Sequence, residues 1–238
     1  MASQPIYQFI SELKDYEPKI WRRFQVAGNV TLARLGYIVM TMYEMKANHL
    51  FSVDYPVDEN LAFGNEYFKF SPDNQRVHHY EIIDDEAFQE SHDHRCFDAT
   101  QRTLRQLSSR PGLILDVQYD FGDGWEVRLV LEDVIWDDKL PGKLLPRVLE
   151  GEGFGIIEDC GGPEGLAALA EAFKDKSNPE YLVLSSWLGE EDLDLSSFDL
   201  EDMNFRLKKV PRIYRDLYEY GVAPTKQSLS LLDRKYHH

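Results

Sequence analysis

Leu113-Ile114-Leu115-Asp116-Val117-Gln118-Tyr119-Asp120-Phe121-Gly122-Asp123-Gly124-Trp125-Glu126-Val127-Arg128-Leu129-Val130-Leu131 is the stretch on which the fold turns. Apolar-rich runs stand on either side of Gly122-Asp123-Gly124. Glycine reaches the positive φ that a tight reversal needs, so Gly-Asp-Gly between two such runs is hairpin chemistry. Leu113 to Phe121 and Trp125 to Ile135 are therefore expected to pair as an antiparallel hairpin. The same sheet is expected to take in two N-terminal strands, Ile6 to Leu13 and Ile20 to Val26, which flank the polar turn Lys14-Asp15-Tyr16-Glu17-Pro18. Successive side chains of a strand face opposite sides, so Arg22 and Arg23 cannot share a face.

Outward from these strands, Thr31 reads as an N-cap. Leu32, Leu35, Val39 and Met42 recur at helical spacing, which predicts a helix over about residues 32–45. His49 to Tyr55, Glu66 to Phe70 and a short Val77 to Ile83 read as strands, and Asp98 as the cap of a helix ending at Leu107. Prolines and glycines break residues 137–162 into loop. Helices are expected at Pro163 to Lys174, at Pro179 to Leu188, and from an Asp199 cap to Lys209. One more runs to Tyr220, interrupted or begun by Pro211, and a last spans Pro224 to Tyr236. Strands come first and helices last. This predicts an α+β fold, a mainly antiparallel sheet with packed helices, over residues 1–209, with a helical C-terminal extension over 210–238.

The 238 residues are 43% hydrophobic, enough for a sizeable core. No apolar run approaches the roughly 20 residues that span a bilayer, so no membrane partner is expected. Met1-Ala2-Ser3-Gln4-Pro5 lacks a basic region followed by an apolar stretch, and only Cys96 and Cys160 are cysteines. A disulfide framework is not indicated, and the cytoplasm is the expected setting. The net charge is −16, unevenly placed. Residues 203–238 carry eight Lys/Arg against three Asp/Glu, a balance of +5, and the remainder carries −21. So acidic a body repels phosphate backbones, so duplex DNA is not expected as a partner. The basic tail is expected to pack against the acidic body.

Several motifs fail on inspection. Asp120-Phe121-Gly122 copies a kinase triplet, but the Gly-rich loop, strand lysine and His-Arg-Asp loop are missing in order. Asp192-Leu193-Asp194 opens like an EF-hand, yet Ser197 and Met203 stand where Gly and Glu are needed. There is no Gly-x-Ser-x-Gly, Walker A loop or dinucleotide fingerprint. His92, His94 and Cys96 alternate and would share one side of an extended chain, but a closed zinc site needs four ligands, with His78, His79 or Asp98 to complete it. A solvated polar loop is the favoured reading there. Cys160 reads as a small buried hydrophobe, since Glu158 and Asp159 beside it disfavour a thiolate. His237 and His238 are assigned no role.

The chemistry left concentrates in two turns, Asp120 to Trp125 and Glu158-Asp159-Cys160-Gly161-Gly162. Asp120, Asp123, Glu158 and Asp159 can join His49 to hold a divalent metal or a polar ligand, with Trp125 as a wall. The competing reading gives these carboxylates to their own turns, as acceptors for backbone N–H groups. His49, Asp120 and Glu158 are expected around one concave surface.

This set of residues resembles the plasmid pRiA ORF-3-like family over about residues 5–209. The resemblance is carried by Tyr7-Gln8-Phe9, Pro18 to Arg23, Thr31 to Leu35 and His49-Leu50-Phe51. It continues in Tyr119 to Trp125, Glu158 to Gly162, Trp187-Leu188-Gly189 and Phe198-Asp199. The chain departs from the family pattern at Ile156-Ile157, where two prolines are usual, and at Met45-Lys46-Ala47-Asn48, where an aromatic-glycine step is usual. The family includes proteins labelled as insertion-element passengers of a TnpR type. The resemblance implies an α+β fold, a mostly bacterial or archaeal setting and an association with mobile DNA, and it supplies no substrate. The expectation is a non-enzymatic binding or accessory module for a protein or small ligand. The alternative is a metal-dependent hydrolase using His49 and the nearby carboxylates.

Overall fold

The computed structural model describes residues 4–56, 69–70, 76–83, 96–108 and 110–232. Among these residues one mixed sheet of nine strands forms the frame. In chain order the strands are β1 Ile6–Leu13, β2 Trp21–Ala27, β3 Phe51–Pro56, β4 Lys69–Phe70, β5 Arg76–Glu81, β6 Cys96–Asp98, β7 Ile114–Tyr119, β8 Trp125–Ile135 and β9 Arg147–Glu152. The order across the sheet is β4-β5-β3-β7-β8-β1-β2-β9, with β6 against β5. Every pairing is antiparallel except β5 with β6. The helices are α1 Leu32–Met42, α2 Leu104–Leu107, α3 Gly162–Lys174, α4 Tyr181–Leu188, α5 Leu200–Arg206, α6 Val210–Tyr220 and α7 Lys226–Leu232. The α+β class read from the sequence is the observed one. No described helix is long and apolar enough to cross a membrane.

The central hairpin forms with Ile114 opposite Val130 and Tyr119 opposite Trp125. β1 lies on its other side, with Phe9 opposite Leu131. Strand β7 stops at Tyr119, two residues short of the expected end, because Asp120 turns into the left-handed region at φ 52°. The alternation along β1, β7 and β8 places Tyr7, Phe9, Leu115, Val117, Tyr119, Val127, Leu129 and Leu131 in one core. Helix α1 joins that core with ten of its eleven residues buried. Each buried aliphatic side chain of this kind contributes about 1.5–3 kcal/mol. Gly36 of α1 meets the Phe51 ring so closely that a Cβ there would sit 2.2 Å from it.

Two expectations need correction and one an addition. Residues 137–162 are mostly loop, but a strand the sequence did not signal, β9, forms within them and pairs with β2. Only Arg147 to Glu152 pair, and Pro146, Gly151 and Gly153 mask so short an edge strand. Asp98 does not cap a helix. Its carboxylate accepts from Thr100 N at 2.8 Å, and Thr103 with Gln106 makes the capping box of α2. The short strand β6 stands where a polar loop was expected.

The two arginines of β2 part as the pleat requires. Arg23 reaches Glu132 at 2.7 Å, with Glu150 as a second partner. Arg22 is fully buried and donates to the carbonyls of Trp21, Gly153 and Phe154 at 2.6–3.0 Å, and lies 4.1 Å from the Phe198 ring centroid. It thereby ties β9 and the chain after it to the sheet. The basic tail also packs inward. Arg206 binds both oxygens of buried Glu44 at 2.6 and 2.7 Å, and Tyr214 and Val210 lie in the core.

Candidate functional site

His49 sits between α1 and β3 on a loop held by left-handed residues at Glu44 and Ala47, with φ 62° and 63°. Non-glycine residues rarely take that conformation, so the surroundings must impose it. Glu158 does so from across the fold. It accepts from Lys46 N and Asn48 Nδ2, both at 2.6 Å, and from the Tyr119 hydroxyl. Asn48 N in turn donates to the Tyr119 hydroxyl at 3.2 Å, and Tyr218 on α6 donates to the carbonyl of His49. The His49 ring stands edge-on to Tyr119 at 5.7 Å.

The two acidic turns meet beside this loop. Asp120 closes its own turn, with Oδ1 accepting from Gly122 N at 3.1 Å and Asp123 N at 3.3 Å. Asp123 Oδ2 accepts from Gly161 N at 3.3 Å. Gly162, at φ 73°, passes so near the Asp123 carbonyl that a Cβ would lie 2.3 Å from its oxygen. Glycine is needed there for both reasons, and the close approach lets α3 begin against the hairpin.

What faces outward is the second oxygen of Asp120 and the carboxylate of Asp159. His49 Nε2 lies 3.5 Å from Asp120 Oδ2 and 3.5 Å from Asp159 Oδ1. One nitrogen and two oxygens thus lie within 4.8 Å of one another. His49 and Asp120 are partly covered, and the Asp159 side chain is 70% exposed.

Of the six residues singled out from the sequence, His49, Asp120 and Asp159 share one face. Glu158 lies behind it and spends its oxygens on the His49 loop, and Asp123 spends one oxygen on the second turn. Trp125 is 1% exposed and packs in the core beneath the hairpin. Cys160 is half-buried, and burial first, then Asp123 and Asp159, pushes its thiol up to about 12. Burial and the neighbouring Glu158 likewise raise the Tyr119 hydroxyl above its ordinary range. Sequence reasoning missed the roles of Asn48, Tyr119 and Tyr218. The quoted hairpin signalled Tyr119, but nothing local signals Tyr218, 169 residues from its partner. His92, His94, His237 and His238 lie outside the described residues.

Residues 5–206 match the family of plasmid pRiA4b ORF-3-like proteins, and the chain belongs to that family. A relative from Sinorhizobium fredii (strain NBRC 101917 / NGR234), the uncharacterized protein y4hQ, is 33% identical over 86 residues, which make up 36% of this chain and 43% of that protein. The chain thus matches less than half of that relative's length. The crystal structure of a protein of unknown function, MM3350 from Methanosarcina mazei Go1, superposes with a TM-score of 0.66 at 22% identity, covering 84% of this chain and 98% of that one. That likeness shows a shared fold.

Proposed function

We propose that the protein is a non-enzymatic binding module. Its contact surface is the junction of the two acidic turns, where a divalent cation held by His49, Asp120 and Asp159 bridges to a protein or small ligand. The observation that carries this reading is the placement of His49 Nε2 at 3.5 Å from a carboxylate of each turn. At that separation the three donors are not consumed by short hydrogen bonds to one another. Imidazole with carboxylates suits manganese, zinc or magnesium, and the exposure of Asp159 leaves coordination positions open to a ligand. A thiol raised to about 12 argues against a Cys160 nucleophile. Duplex DNA is not the partner in this reading, because Arg206, Arg212 and Arg215 of the basic tail pair with Glu44 and Asp216. A role within a mobile-element setting would then run through a protein or a small molecule.

The same three groups support a second reading, a metal-dependent hydrolase in which the ion activates a bound water. Calorimetric titration of metal-free protein with manganese and magnesium tests both. Binding that is lost in His49→Ala with the circular dichroism unchanged supports the cation site. No binding of either ion removes it. Turnover of generic ester or phosphoester substrates by the loaded protein, lost in the same variant, would replace the binding module by the hydrolase.

A further inference from the structure

A second group of metal-ligating side chains lies on β5 and β6, near the β4–β5 edge of the sheet, and shares no residue with the His49 cluster. The register of three neighbouring strands builds it. Asp54 on β3 is opposite His79 on β5, and His79 is opposite Cys96 on β6. Directly opposed residues project to the same face, with Cβ atoms about 4.5–5.5 Å apart in antiparallel pairs. Glu81, two positions beyond His79 on the same strand, falls on that face as well. The result is a row Asp54–His79–Cys96 with Glu81 beside it.

The contacts within the row have an order. His79 Nδ1 meets Asp54 Oδ1 at 2.6 Å, and His79 Nε2 meets Glu81. One donor atom from each of His79, Glu81 and Cys96 lies within 4.8 Å of the others. Asp54 and His79 are 4% and 7% exposed, so their mutual orientation is fixed by packing. A metal-bound histidine characteristically gives its other ring N–H to a carboxylate, which fixes the tautomer and raises the basicity of the ligating nitrogen. Asp54 stands in that position.

The geometry points to a zinc-class metal site in which His79 Nε2, a Glu81 oxygen and the Cys96 thiolate are ligands and Asp54 is the positioning residue. Zinc takes nitrogen at about 2.0–2.1 Å and thiolate sulfur at about 2.3 Å, which puts neighbouring ligand atoms about 3–4 Å apart. Small side-chain shifts bring the three atoms to that spacing. Mixed nitrogen, oxygen and sulfur donors favour zinc or cobalt over magnesium or calcium. Metal binding here would pin the three-residue strand β6 to the sheet through its first residue. The sequence drew attention to Cys96 through its spacing from His92 and His94 and offered His79 as one of three residues to complete a site, and the strand register places His79 and Glu81 beside Cys96.

Cobalt(II) titration of metal-free, reduced protein tests this, because a cobalt–thiolate bond gives a near-ultraviolet charge-transfer band that imidazole and carboxylate ligands do not give. The expected result is a band saturating at about one cobalt per chain and displaced by zinc. It disappears in Cys96→Ser and persists in Cys160→Ser and in His49→Ala. Asp54→Asn weakens cobalt binding about 10–100-fold while the band keeps its shape. Should Cys96→Ser fail to fold, Glu81→Gln takes its place and must weaken binding with unchanged circular dichroism. No thiolate band in the parent protein, or a band that survives Cys96→Ser, overturns the site, and the row is then a hydrogen-bonded link between Asp54, His79 and Glu81 without a metal. Persistence of the band in His49→Ala separates this result from any failure of the His49 cation site.

Discussion

Glu158→Ala removes one carboxylate from three donors at once. Lys46 N–H and the Tyr119 hydroxyl lose their acceptor in partly buried surroundings, while the Asn48 amide is exposed enough for water to take over. A hydrogen bond to a charged acceptor contributes about 1.5–3 kcal/mol, so two of them put the loss at about 3–6 kcal/mol. For a chain of 238 residues each kcal/mol moves the midpoint by about 2–4 °C, and the expected fall in Tm is about 6–24 °C. Glu158→Gln keeps one acceptor oxygen, and Asn48 can turn its amide to accept from the new NH2 group, so its cost is about 1–2 kcal/mol. Asp159→Ala provides the contrast. Its side chain is 70% exposed, and its removal is expected to change stability by less than about 0.5 kcal/mol while abolishing cation binding at His49. Thermal unfolding followed by circular dichroism, with calorimetric cation titration on each variant, checks all three. A Glu158→Ala protein melting within about 2 °C of the parent would show that Glu158 does not hold the His49 loop.

Burial raises the hydroxyls of Tyr43, Tyr119, Tyr214 and Tyr218 above the ordinary 10.0. Above pH 10 the unfolded chain releases these protons and the folded one keeps them, so their contribution is complete below pH 10 and is lost as pH rises beyond it. The loss is about 1.4 kcal/mol per pH unit for each tyrosine. Tyrosinate absorbance and circular dichroism should therefore change together at alkaline pH, and full tyrosine ionisation near pH 10 with the dichroism intact would contradict this. Arg206→Met takes from Glu44, 4% exposed, the guanidinium at 2.6 Å and is expected to cost about 3–5 kcal/mol, with most of it recovered in the Glu44→Gln, Arg206→Met double variant. Urea unfolding midpoints measure both, and equal destabilisation of single and double variants would refute the buried pairing.

The sequence by itself determined the hairpin, the two N-terminal strands, helix α1 with its Thr31 cap and the α+β class. Each of these rests on local physics: side-chain periodicity, glycine's access to positive φ, and a hydroxyl accepting the N–H of Arg34 at 3.2 Å. The sequence also picked out His49 and both acidic turns, because Asp and Gly at such density mark tight reversals. It left open which carboxylates face a ligand and which hold the backbone. That division depends on where Lys46, Asn48 and Tyr119 lie relative to Glu158, and these groups are 112, 110 and 39 residues from it. Strand β9 escaped notice because edge pairing needs a partner, β2, more than 100 residues earlier in the chain. The sequence named Cys96 and His79 as candidate ligands, but the row they form with Asp54 was not legible, since a one-residue slip of either neighbouring strand would send its side chain to the opposite face. Register across β3, β5 and β6 is set by packing of the whole sheet, and only the tertiary structure decided it.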